Sequence, residues 1–215
     1  MICIVSDWVL VAVDAKVRLQ VNMINLMLGD CLERMKEIPD GSVDMVLADP
    51  PYGTTACKWD SVIPLEDMWK ELKRVIKPNG AIVMTASQPF TTILIASNLK
   101  AFKYNWVWDK KKSANFQLAK YQPMKVHEDI CVFSYKTHNY YPIMTDRDTL
   151  KVRTTFSKGD STHLQRDDGR VRSYTQKHPK SILEVSNADQ RGRLHPTQKP
   201  VELMEYLIKT YTQEG

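Results

Sequence analysis

An α/β fold built on a buried, largely parallel sheet is predicted for this 215-residue chain by three observations. Val43 to Ala48 is an apolar run that stops on Asp49 and two prolines, and Ala81 to Ala86 is a second such run. Around them, apolar residues recur at helical spacing. Apolar runs of strand length alternating with amphipathic helices make strand–helix–strand units, whose strands are covered on both faces. With 43% hydrophobic residues in a chain of this length, one core is affordable, with room for a small insertion.

Residues 1–22 connect least to the rest. Val9 to Val13 is strand-like, but the stretch reads as a leader preceding Met23, with an added strand as the alternative. Ile2 to Val13 carries Asp7 and no basic lead, which argues against a secretory signal, and it is too short and interrupted to span a bilayer. From Met23 the pattern becomes regular. Ile24 to Leu28 is a strand ending on Gly29-Asp30, and Leu32, Met35 and Ile38 then follow at helical spacing until Pro39-Asp40-Gly41-Ser42. Asp30 is placed to cap that helix.

Val43 to Asp49 is the next strand. Pro50 and Pro51 have no N–H and push the residues before them toward extended backbone, so a stiff, carbonyl-rich loop forms at the strand's carboxyl end, where open α/β sheets bind ligands. That loop suits one chemistry in particular. The exocyclic amine of a nucleobase is a poor nucleophile because its lone pair is delocalised into the ring. Acceptors aimed at both its N–H bonds favour the pyramidal form, and Asp49 with the Pro50 carbonyl can supply them. Tyr52 offers a flat face for a base taken out of the duplex.

After the loop Thr54 to Ser61, Pro64 opens a helix with Leu65, Met68, Trp69, Leu72 and Ile76 on one stripe, ended by Pro78-Asn79-Gly80. Beyond the strand Ala81 to Ala86 come a helix around Pro89 to Lys100, a strand Tyr104 to Trp108 and, across a long loop, its antiparallel partner Ile130 to Tyr135. Lys110, Lys111 and Lys112 close the strand as a basic cluster. The loop itself mixes Asn115, Phe116, Tyr121 and Gln122, and reads either as a solvated connection or as a surface facing nucleic acid.

Charge is uneven. Residues 100–180 carry 17 Lys and Arg against 8 Asp and Glu, whereas 1–99 carry 9 against 12. Within 136–190 periodicity fades and Arg147, Lys151, Arg153, Lys158, Arg166, Arg170, Arg172 and Lys177 crowd together, for which phosphate neutralisation is the simplest use. Cys3, Cys31, Cys57 and Cys131 have neither metal-ligand nor disulfide spacing, so no metal site is expected and a reducing cytoplasm fits. His195 to Pro200 opens a last helix, with Leu203, Met204, Leu207, Ile208 and Tyr211 on one face.

Asp49-Pro50-Pro51-Tyr52 resembles the catalytic motif of the S-adenosylmethionine-dependent amino-methyltransferases of DNA, and His195-Pro196-Thr197-Gln198-Lys199-Pro200 resembles their second hallmark. Trp108-x-Lys110 and His127-Glu128 also sit where that family carries similar pairs. The resemblance covers about residues 23–215 and implies a Rossmann-like methyltransferase fold acting on double-stranded DNA, with Asp49, Pro50, Pro51 and Tyr52 catalytic. It implies S-adenosylmethionine near Asp30, Cys31, Asp49, His195, Thr197 and Lys199, and DNA at Lys110, Lys111, Lys112, Arg170 and Arg172. Asp at position 49 favours adenine N6. Cytosine N4 is the runner-up, and a non-catalytic DNA-binding remnant the alternative outside catalysis. Methylation of a cytosine ring carbon is disfavoured because no Pro-Cys pair supplies a nucleophile. A homodimer is compatible with the resemblance, and no membrane association is expected.

The expected organisation is a leader at 1–22, a catalytic α/β region at 23–135, a target-recognition-like segment at 136–190 and a cofactor-site helix at 191–215. Members with this motif order place a glycine-rich cofactor loop after the last helix, and no Gly-x-Gly occurs here. The expectation is therefore a sheet incomplete at its C-terminus, with an unpaired edge at the catalytic strand.

Overall fold

The computed structural model describes residues 2–5, 8–12, 24–55, 57, 60–153, 172–187 and 198–213, with only the backbone at 2–5, 8–12, 24, 153 and 172. Two units emerge, Met1–Tyr141 with Ser181–Gly215, and Pro142–Lys180.

The first unit holds an eight-stranded sheet. Its strands are β1 (Ile2–Val5), β2 (Trp8–Ala12), β3 (Ile24–Leu28), β4 (Val43–Asp49), β5 (Ile76–Ala86), β6 (Phe102–Ala114), β7 (Lys125–Phe133) and β10 (Ile182–Glu184). They lie in the order β10-β6-β7-β5-β4-β1-β2-β3. The pairs β1–β4, β4–β5 and β6–β10 are parallel, and β7 runs antiparallel to both β5 and β6. The expected strands Ile24–Leu28 and Val43–Asp49 form over those residues, and the one at 81–86 begins earlier, at Ile76.

The bare edge expected along β4 is absent. β1 lies parallel to β4 with Val5 opposite Asp49, and β2 joins β1 to β3 by antiparallel ladders. Ile2–Val5 and Trp8–Ala12 thus supply two strands of the sheet, as the added-strand alternative would have it, and are not a mere leader. An apolar run pairs wherever ladder groups would otherwise stay open.

Side chains of β4 and β5 alternate between two cores, as a doubly covered sheet requires. Val46, Ala48, Ile82 and Met84 face α1 (Cys31–Met35), α2 (Leu65–Val75) and α3 (Phe90–Ser97), through Met35, Met68, Leu72, Phe90 and Leu94. Met45, Leu47, Ala81 and Val83 face the opposite way, toward α4 (Val201–Tyr211), through Leu203, Leu207 and Tyr211. Trp106 Nε1 donates to the Tyr211 hydroxyl at 2.7 Å and fixes α4 against β6.

The second unit contains an antiparallel pair, β8 (Thr145–Arg153) and β9 (Arg172–Lys177). It falls inside the segment set apart by its basic composition.

Candidate active site

The site is built at the carboxyl end of β4. Asp49 ends the strand, Pro50 and Pro51 are buried behind it, and Tyr52 turns back so that its hydroxyl lies 3.1 Å from Asp49 Oδ1 and 3.0 Å from Thr85 Oγ1. Thr85, fully buried on β5, donates to the same Asp49 oxygen at 2.5 Å. The Tyr52 ring stacks on Phe90 with centroids 5.4 Å apart. Burial, with Asp49 and Glu128 nearby, pushes the Tyr52 hydroxyl well above its ordinary pKa, so it remains a hydrogen-bond donor.

Beyond Tyr52 the chain is held by a residue that sequence reasoning missed. Asp60 Oδ1 accepts from the N–H groups of Tyr52 and Gly53 at 2.8 and 2.9 Å, and Oδ2 from those of Thr54 and Thr55 at 2.9 and 2.7 Å. Gly53 has φ +66°, and a Cβ there would meet Val62 Cγ2 at 2.7 Å, so the turn demands glycine. Burial raises the Asp60 carboxyl, but the bonds from Thr55, Gly53 and Tyr52 outweigh it and hold the pKa below the ordinary 3.8. A carboxyl so lowered contributes stability above its unfolded pKa and loses it as pH falls through the folded value. Asp60→Ala is therefore expected to cost about 2–4 kcal/mol at neutral pH, since bonds to a charged group are the stronger kind. The penalty should shrink below pH 4, and chemical denaturation at two pH values checks it.

A row of paired charges runs behind Asp49. Lys199, one residue before Pro200 at the start of α4, places Nζ 2.9 Å from Asp49 Oδ1 and 3.5 Å from Glu128 Oε2. Lys110 places Nζ 3.1 Å from Glu128 Oε1. Burial lowers the Lys199 pKa, but Asp49 and Glu128 outweigh it and hold it above the ordinary range. Burial likewise raises Glu128, and Lys199 and Lys110 outweigh that and hold it low. All of this engages Oδ1 of Asp49. Its Oδ2 has no hydrogen-bond partner among the described residues.

Lys110 corrects an expectation. It is 8% exposed and committed to Glu128, so it does not join Lys111 and Lys112 as a surface cation. Lys111 reaches Glu184 at 2.5 Å, and Lys112 is exposed. Lys199, expected at the amino-acid end of a cofactor, is likewise taken up by two carboxylates. His195, Thr197 and Arg170 lie outside the described residues, as does the side chain of Arg172. Arg172 closes the β8–β9 register opposite Arg153.

Asp30 caps α1, Oδ1 accepting from Leu32 and Glu33 N–H at 2.8 and 3.4 Å. Its exposed Oδ2 is left open, next to Cys31 at the first position of the helix. β3 and β4 point the same way with β1 and β2 between them, so Asp30 and Asp49 stand on one edge of the sheet, about 14 Å apart at ordinary strand spacing. Two carboxylate oxygens on that edge thus have no hydrogen-bond partner among the described residues. No group of metal-ligating side chains occurs among the described residues, and no helix there is long and apolar enough to cross a membrane.

The Type II methyltransferase M.HpaI of Haemophilus parainfluenzae is 22% identical over 205 residues, which span 88% of this chain and 60% of that protein. The chain thus spans about three fifths of the length of that curated relative. The solved PvuII DNA methyltransferase (cytosine-N4-specific) shares the fold, with a TM-score of 0.55 at 14% identity over 86% of this chain and 69% of that one. A structure of the M1.HpyAVI–SAM complex is 16% identical, covers 85% of this chain and 72% of its own, and has a TM-score of 0.49. The sequence model of the DNA methylase family matches residues 43–215, from the first residue of β4 onward. That match takes in the Asp-Pro-Pro-Tyr turn, Glu128 and Lys199 together, and this chain belongs to the N6/N4 DNA methylase family, which draws its methyl group from S-adenosylmethionine.

Proposed function

We propose that the protein methylates the exocyclic amino group of adenine (N6) in double-stranded DNA, on a base extruded from the duplex. The observation that carries this reading is the asymmetry of Asp49. Thr85, Tyr52 and Lys199 fix one carboxylate oxygen, and the other is open at the ligand-binding edge of the sheet.

When bound, S-adenosylmethionine supplies an electrophilic methyl group. Asp30 Oδ2 and the Cys31 N–H are the residues present to hold its adenine. Asp49 Oδ2 accepts one N–H of the target amine and the Pro50 carbonyl the other, which favours the pyramidal nitrogen and takes its lone pair out of conjugation with the ring. The proton lost as the nitrogen takes the methyl group, the cofactor's sulfur–methyl bond breaking and its thioether leaving, would pass to Asp49 Oδ2. Tyr52, braced by Phe90 and by Asp60 through the backbone, carries the stacking surface.

The same geometry serves the cytosine amine, so the reaction product decides between them. Incubating the protein with duplex DNA and isotopically labelled S-adenosylmethionine, then digesting to nucleosides, should yield N6-methyladenine. Label in N4-methylcytosine would move the assignment to the runner-up, and label only in RNA or protein competitors would remove DNA as the substrate.

Duplex binding is assigned to the basic segments. Residues 110–127 contain no Asp or Glu, and the hairpin joining β6 to β7 exposes Lys112, Lys120, Phe116 and Tyr121, the two rings at 80% and 85%. Asp49 and this hairpin share one edge, because β7 starts where β4 and β5 end. Affinity for DNA is expected to fall linearly with salt on logarithmic axes, and neutralising Arg170 and Arg172 should flatten the slope by about 0.9 each. A titration that is flat with salt would count against the assignment.

A further inference from the structure

We propose that Glu128 is a positioning residue for Asp49, acting through Lys199, whose ammonium it holds away from the one Asp49 oxygen the substrate needs. The inference rests on the reaction proposed above. It starts from the buried row Lys110, Glu128, Lys199, Asp49, whose side chains are 10%, 14%, 11% and 13% exposed. Four alternating charges drawn from β6, β7, the segment leading into α4 and β4 sum to zero, which is how so many charges tolerate burial.

The geometry is uneven in an informative way. Lys199 hydrogen-bonds Asp49 Oδ1 at 2.9 Å, yet sits 3.5 Å from Glu128 Oε2, an atom that is buried and receives no hydrogen bond. Glu128 therefore attracts the ammonium by charge without capturing it. Lys110 secures the other oxygen, Oε1, and keeps Glu128 from turning away. Lys125, on the same strand, donates to Ser87, and its charge acts on Glu128 more weakly than those of Lys199 and Lys110. Thr91 bonds the neighbouring Asp129 at 2.8 Å and removes that carboxylate from the row. Without the Glu128 charge, Asp49 is the one anion left beside Lys199 among the described residues. A flexible ammonium facing one carboxylate gains most by bridging both oxygens, which would cover Oδ2.

The test uses Glu128→Gln, nearly isosteric, in the whole protein with duplex DNA. The expected result is a fall in kcat of about 10- to 100-fold with KM for DNA little changed, the scale of loss for a reacting group held slightly out of place. The variant also leaves Lys110 buried without its partner, so its melting temperature should drop. Adding Lys110→Met is expected to restore the melting temperature while kcat stays low, a separation that a merely structural ion pair would not produce. In crystals of Glu128→Gln, Lys199 Nζ should lie within hydrogen-bond distance of Asp49 Oδ2. Recovery of kcat together with stability in the double variant, or a crystal structure with Lys199 unmoved, overturns the role. A wild-type protein inactive on DNA instead overturns the reaction, and the crystal comparison still reads the positioning claim on its own.

Discussion

Asp49→Ala is expected to lower methyl transfer to DNA by about 10²–10³-fold or more, the usual cost of deleting a group aimed at the reacting atoms. DNA affinity should stay nearly the same. The carboxylate sits at the end of β4 among Thr85, Tyr52 and Lys199, and none of its contacts is with a surface cation that could serve a phosphate. Lys199 retains Glu128 in the variant, so the fold keeps one partner for the buried ammonium. Single-turnover kinetics beside equilibrium DNA binding separates the two effects, and parallel loss of both would argue that Asp49 shapes the DNA surface. Tyr52→Ala should be milder, because base stacking is worth about 1–3 kcal/mol.

Lys199→Met is expected to be the most destabilising single change at the site. It leaves Asp49 and Glu128 as buried carboxylates without the cation between them, a situation that typically costs about 3–5 kcal/mol. In the native protein the Lys199 pKa is held above its ordinary 10.5, so its stabilising contribution is complete below that value and lost only as pH rises through the folded pKa. In the variant, Glu128 loses the first of the three lysines, Lys199, Lys110 and Lys125, that hold its pKa low, so the cost of burying it charged should ease on acidification. The melting temperature of Lys199→Met should therefore rise relative to wild type between pH 8 and pH 5. A constant difference across that range would show that the ammonium matters for packing and not for charge.

Much of the framework was legible because the pattern is local. The apolar run of β4, the stripe of α2 and the proline that starts α4 each act within a few residues, and each element forms close to its expected place. The pairing of β1 with β4 was not legible. Parallel neighbours are chosen by long-range packing, and Ile2 to Val5 carries no turn or register cue that would point to residue 49. Lys110 was misread for a different reason. In the sequence it heads a run of three lysines, which suggests a solvated cluster, yet strand periodicity puts Trp106, Trp108 and Lys110 on one face, and all three are buried. That signal was available.

Asp60 and Thr85 could not be found by spacing. Asp60 matters because four consecutive N–H groups converge on it, a property of loop conformation. Thr85 matters because parallel pairing of β4 with β5 sets the two strand ends side by side, Ala48 lying opposite Met84.

The central claim is that Asp49 Oδ2 is the acceptor for the amine of an extruded base. The most direct measurement is a crystal structure of the protein with a duplex containing its target site, in which the distance from Asp49 Oδ2 to the exocyclic nitrogen is read. The account expects a base out of the stack with that distance at about 2.7–3.2 Å, a formed hydrogen bond. A target base still stacked in the duplex, or an amine bonded to Glu128 with Asp49 Oδ2 left open, would contradict it.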